Sequence, residues 1–168
     1  LTADAERMLP WRTIASENDR PQLQMELETL VRGFFKPALL LDYATLTGAA
    51  RTALGPDLPP FFSNDDTLAA EFAQASVDTS DPIWRMPLWD AYEGDMDSGI
   101  ADMKNTGDGA FAGAIYAALF LRRFVTVSAW AHFDVFAWAP KEKPSRPAGG
   151  EAQALRASWA VIKKRFAA

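Results

Sequence analysis

Residues 36–48 read Lys36-Pro37-Ala38-Leu39-Leu40-Leu41-Asp42-Tyr43-Ala44-Thr45-Leu46-Thr47-Gly48. The Lys36-Pro37 pair stops a helix arriving from upstream, because a residue before proline is pushed out of the helical region. Ala38 to Tyr43 is a short apolar run without polar alternation, the pattern of a strand buried on both faces. Ala44 to Gly48 is then a turn of small residues. In open α/β sheets ligands gather at the carboxyl ends of the strands, so this turn is a candidate site wall. Read without a ligand, it is a plain strand-to-helix connection.

Upstream, Pro10 and the polar run Ser16-Glu17-Asn18-Asp19 interrupt any period between Leu1 and Arg20. Asp19 or Arg20 before Pro21 marks a helix start. Leu23, Leu27, Leu30, Val31 and Phe34 fall at helical spacing and predict an amphipathic helix over 21–35. Downstream, Gly55-Pro56 and Pro59-Pro60 mark a loop. Asp65 or Asp66 caps a predicted helix over 66–76, with Leu68, Ala69, Phe72 and Ala73 on one face. Extended chain is expected over 84–88, a short acidic helix over 89–96 and a strand from Ile100 to Met103. Gly107-Asp108-Gly109 opens a small-residue helix over 110–124, and Arg122-Arg123 suit its carboxyl end. Ser128 to Val135 reads as an aromatic-rich strand and Lys141 to Gly150 as a loop. A last helix over 151–166 is expected to turn Ala154, Leu155, Trp159, Ile162 and Phe166 inward. Strands alternate with helices, which predicts an α/β fold: a central mostly parallel or mixed sheet flanked by helices in three layers.

The chain has 168 residues, suited to one domain over 1–168. Seventeen Lys and Arg against 22 Asp and Glu leave a formal charge of -5, which argues against a general nucleic-acid binder. The absence of Cys excludes disulfides and thiolate metal sites. No apolar run is long enough to span a membrane, and no basic-then-apolar leader is present. The chain opens on Leu1 inside what reads as a motif, so a trimmed fragment is expected.

Three groups of residues bear on chemistry. In extended chain, residues two apart share a face, so Asp4 and Glu6 of Asp4-Ala5-Glu6 can hold one divalent ion or bridge two. The same triplet reads as a solvated or capping pair. Asp90, Glu93, Asp95, Asp97 and Asp102 lack the order of a calcium loop and read as a solvated helix face. His132, the only histidine, lies in an apolar strand with no G-x-S-x-G elbow to support a triad, and reads as a core or interface residue. Phosphate-binding loops are absent.

The literal sequence says more. Lys36-Pro37, the apolar strand and Asp42-Tyr43-Ala44-Thr45-Leu46-Thr47-Gly48-Ala49-Ala50 resemble the strand and turn of the leucyl (cytosol) aminopeptidase family. Ala101-Asp102-Met103-Lys104-Asn105-Thr106-Gly107, the helix from Gly113 to Leu121, Trp130-Ala131-His132-Phe133-Asp134 and Arg146-Pro147 continue the resemblance in order, over about 36–166. It implies the carboxyl-terminal catalytic portion of a cytoplasmic, typically hexameric metallo-aminopeptidase acting on peptides. Two divalent ions, Mn or Zn or Mg, would activate a bridging water and polarise the scissile carbonyl. Thr45, Leu46 and Gly48 match positions that line the family's side-chain pocket. The family signature Asn-Thr-Asp-Ala-Glu-Gly-Arg-Leu is matched by Thr2-Ala3-Asp4-Ala5-Glu6-Arg7-Met8-Leu9, with Asp4 and Glu6 at metal-ligand positions. Met8 stands where the family has the Arg that holds a bicarbonate general base. Arg7, one place earlier, is the catalytic candidate, although adjacent side chains in extended chain point oppositely. Residues 1–35 are otherwise divergent. The family's other ligands and a catalytic Lys lie upstream of its signature and are not in this chain. Alone, it is therefore expected to bind metal weakly and to show little peptidase activity. The competing reading is a non-catalytic scaffold or oligomerisation module built on the same fold.

Overall fold

The computed structural model describes residues 37–167, apart from 106, 108 and 145. The helix predicted over 21–35 lies outside these residues. Strands β1 (Leu40–Ala44), β2 (Pro60–Ser63), β3 (Trp84–Arg85) and β4 (Trp130–Asp134) form one sheet in the order β1-β4-β2-β3. The β1/β4 and β2/β3 pairs are parallel and β2/β4 is antiparallel, so the sheet is mixed. The helices are α1 (Ala49–Leu54), α2 (Asp66–Asp78), α3 (Gly113–Arg122) and α4 (Leu155–Phe166). A short hairpin pairs β5 (Trp138–Ala139) with β6 (Gly149–Gly150).

Successive strand residues face opposite sides of a sheet, and both faces are packed. On one face Phe61, Ala131 and Phe133 meet Leu68 and Phe72 of α2 and Ala157 and Val161 of α4. Phe72 meets the Phe133 ring edge-on at 5.0 Å between centroids, a geometry worth about 1 kcal/mol beyond area burial. On the other face Phe62 packs with Ala50 of α1 and Ala114 and Ala118 of α3. The small residues of α3 allow that close approach. This is the expected α/β arrangement, with helices above and below a central sheet.

Local chemistry sets several boundaries. The Asp65 carboxylate accepts from the Thr67 and Leu68 amides at 2.8 and 3.2 Å and starts α2. Helix α2 runs on to Asp78 and buries Ala75, while Ala73 is exposed. The acidic segment forms a 3-10 helix, Asp90–Met96, whose Met96 is buried. Its charges are not simply solvated. Arg122 binds Asp90 and Glu93, and Arg123 binds Glu93 and Asp97, at 2.7–2.9 Å.

Three expectations are corrected. The strand beginning at Leu40 is only partly buried, and Tyr43 is 44% exposed. Among the described residues β1 is the sheet's edge, paired with β4 alone. Ile100 to Met103 is not a strand: the Ser98 hydroxyl accepts from the Ile100 and Ala101 amides at 3.3 and 3.1 Å and folds the chain into a turn. Helix α4 departs in part from the expected face: Ala154 is buried and Ile162 partly buried as expected, but the larger side chains are not. Ala157, Ser158 and Val161 are buried, while Leu155, Trp159 and Phe166 are 59%, 65% and 54% exposed. The small residues let α4 lie close on the sheet and α2, which the larger side chains would prevent.

Candidate functional site

The parallel pair β1/β4 ends at Ala44 and Asp134, which are register partners. After Ala44 the chain leaves the strand and bends at Gly48 before α1, and the Asp134 carboxylate meets this short turn segment. One oxygen accepts the Leu46 and Thr47 amides, both at 3.1 Å. The other accepts the Thr47 hydroxyl at 2.6 Å. The Val135 amide donates to the Ala44 carbonyl at 2.9 Å and closes the strand ends together. Asp134 is buried, so these charge-assisted bonds act away from competing water.

The pinned turn leaves Thr45, Leu46 and Gly48 exposed side by side, with Leu46 at 43%. Just past Gly48, the Arg51 guanidinium lies over the Phe136 ring at 4.4 Å. A Cβ on Gly48 would come within 2.8 Å of that guanidinium, so a side chain there would displace it from the ring. Farther on, Ala49, Ala53, Met86, Gly113 and Ile115 help line an apolar groove of about 500 Å³. The neighbourhood suits an apolar ligand group against Leu46, with a cation at its rim.

Behind the turn, the β1/β4 register sets Asp42 beside His132. Asp42 accepts from His132 Nδ1 at 2.5 Å and from the Trp130 indole Nε1 at 2.6 Å. His132 is fully buried, and among the described residues its Nε2 has no hydrogen-bond partner. Among the described residues no nucleophile is therefore bonded to the imidazole, and of the core and interface readings its burial supports the core. On the opposite face Tyr43 stacks on Phe133 at 4.7 Å and donates its hydroxyl to the buried Ser158. Burial raises the Tyr43 hydroxyl above its ordinary pKa; the Ser158 bond opposes this, and the Asp81 and Asp42 charges add to it.

Thr45, Leu46 and Gly48 are thus brought together on one turn. Asp4, Glu6, Arg7 and Met8 lie outside the described residues. Among the described residues no group of three His, Asp or Glu side chains is placed to hold a metal. Sequence reasoning missed the role of Asp134 and the position of Arg51. The available signal for Asp134 was a carboxylate ending an otherwise apolar strand.

Residues 27–158 match the family described as the cytosol aminopeptidase family, catalytic domain. A probable cytosol aminopeptidase from Chlamydia felis is 47% identical over 116 residues, which cover 68% of this chain and 23% of that protein. A crystal structure of cytosol aminopeptidase from Coxiella burnetii superposes with a TM-score of 0.77 at 47% identity, covering 86% of this chain and 31% of that one. The bottromycin maturation enzyme BotP, solved in complex with Mn, superposes with a TM-score of 0.73 at 32% identity, covering 82% and 32%. The chain therefore spans about a quarter to a third of the length of these relatives.

Proposed function

The chain belongs to the cytosol aminopeptidase family, and we propose that it carries the side-chain pocket of a leucyl-type, metal-dependent aminopeptidase that releases N-terminal residues from peptides. The observation that carries this reading is the turn at the end of β1, where Thr45, Leu46 and Gly48 stand exposed on a backbone pinned by Asp134. Leu46 supplies an apolar wall for a Leu or Met side chain, and the small residues around it leave room.

In this proposal two divalent ions, Mn or Zn or Mg, supply an activated water when bound. Asp4 and Glu6 would be among their ligands, with Arg7 near a bicarbonate. The described residues do not themselves fit a metal centre, so their part is confined to binding and orienting the peptide's first side chain. The working protein would be a cytoplasmic homo-oligomer, a hexamer in its complete form.

The test replaces the corresponding segment of the Coxiella burnetii enzyme with residues 36–166 of this chain and measures Mn-dependent hydrolysis of a leucyl-anilide. The chimera is expected to be active, and the isolated 168-residue chain to show little activity. A folded but inactive chimera overturns the reading. It would favour the alternative, a non-catalytic assembly module of the same fold, for which Met8 at the family's Arg position already speaks.

A further inference from the structure

Among the described residues no hydrogen bond joins two residues of the turn that bears Thr45, Leu46 and Gly48. Gly48, which precedes α1, makes no side-chain capping bond. Two successive amides, Leu46 and Thr47, converge on a single oxygen of Asp134. Converging amides favour a shared oxygen acceptor, best one carrying negative charge, and a buried amide without any acceptor costs free energy. The Thr47 hydroxyl closes the other side of the same carboxylate. Asp134 forms no ion pair within 4.0 Å among the described residues, so its charge is spent on this turn.

We propose that Asp134 is a positioning residue for substrate side-chain recognition: it fixes the Leu46–Thr47 backbone so that Thr45, Leu46 and Gly48 present one preformed wall. This rests on the pocket reading above and adds a residue that never touches the substrate. The carboxylate reaches the turn because β4 ends opposite the last residue of β1. Its effect is pre-organisation: the turn does not have to be ordered when the ligand arrives.

The test titrates L-leucinamide into the nitrogen-15-labelled full chain and follows the amide resonances of Thr45, Leu46, Thr47 and Gly48. The Trp130 indole resonance, whose N–H is bonded to Asp42, reports an intact sheet. D134A is expected to raise the apparent Kd about tenfold and to speed hydrogen exchange at Leu46 and Thr47, with the indole resonance unmoved. D134N keeps one acceptor oxygen for the two amides, so it should restore most of the affinity, to within about threefold of the unaltered chain. A purely structural role would move the indole resonance and leave the Kd of folded variants alone. If D134A binds leucinamide as tightly as the unaltered chain, the Asp134 assignment is overturned and the pocket reading survives. If the unaltered chain shows no response at Thr45–Gly48, the pocket reading itself fails, and this assignment with it. Should D134A not fold, T47V and D134N carry the test: both are expected to weaken binding about threefold, and wild-type affinity in both overturns the assignment.

Discussion

Leu46 combines exposure with an apolar side chain on a backbone held from behind. In the chimeric enzyme, Leu46→Arg is expected to raise KM for leucyl-anilide at least about tenfold and to leave the thermal midpoint nearly unchanged. Steady-state kinetics beside a melting curve check this, and unchanged kinetics rule the pocket out. Tyr43 gives a prediction in pH. Its folded pKa is raised, so the stability it contributes is complete below the unfolded tyrosine value of about 10. That stability is lost as pH rises through the higher folded value. Urea unfolding between neutral and strongly alkaline pH should therefore show a steeper alkaline fall for the unaltered chain than for Tyr43→Phe. The connection at 45–48 was legible as such because small residues directly follow an apolar strand. Asp134 was quoted in a motif, yet its role was not legible, because it depends on a partner 87 residues away. His132 read as a core or interface residue and its burial supports the core, but its bond to Asp42 required the parallel register, which sequence spacing does not provide.

Capping and periodicity made the elements readable where one face alone is buried. Helix α2 buries Leu68, Ala69 and Phe72 as its spacing suggests and is capped by Asp65, one of the two expected caps. Asp65→Ala should cost about 1 kcal/mol in urea unfolding. Helix α4 shows how the same logic fails. Its larger apolar residues suggested the inward face, but close packing against α2 and the sheet favours Ala157, Ser158 and Val161. Val161→Ala is expected to destabilise the chain by about 2 kcal/mol. Trp159→Ala should change its stability by less than about 0.5 kcal/mol. The reverse order would mean that α4 is rotated. Near the 3-10 helix, a Cβ on Gly107 would fall 2.3 Å from the Tyr116 ring. That approach was invisible in sequence because the glycine's partner lies on the following helix.

At the scale of the whole molecule, the α/β class was legible from the alternation of elements, but the sheet order was not. Two adjacent apolar strands in sequence, β1 and β2, are separated in space by β4, the last strand of that sheet to be made. Pairings of this separation are slow to form, because a long loop must close before any contact rewards it. A ribosome adds about 5–20 residues per second, so β1 waits roughly 4–17 s for its partner to be synthesised. During that interval the Leu46–Thr47 turn has no carboxylate to organise it. The order of this turn therefore matures late in biosynthesis: a nascent chain released before residue 134 carries every side chain of the proposed pocket but lacks the carboxylate that holds its backbone.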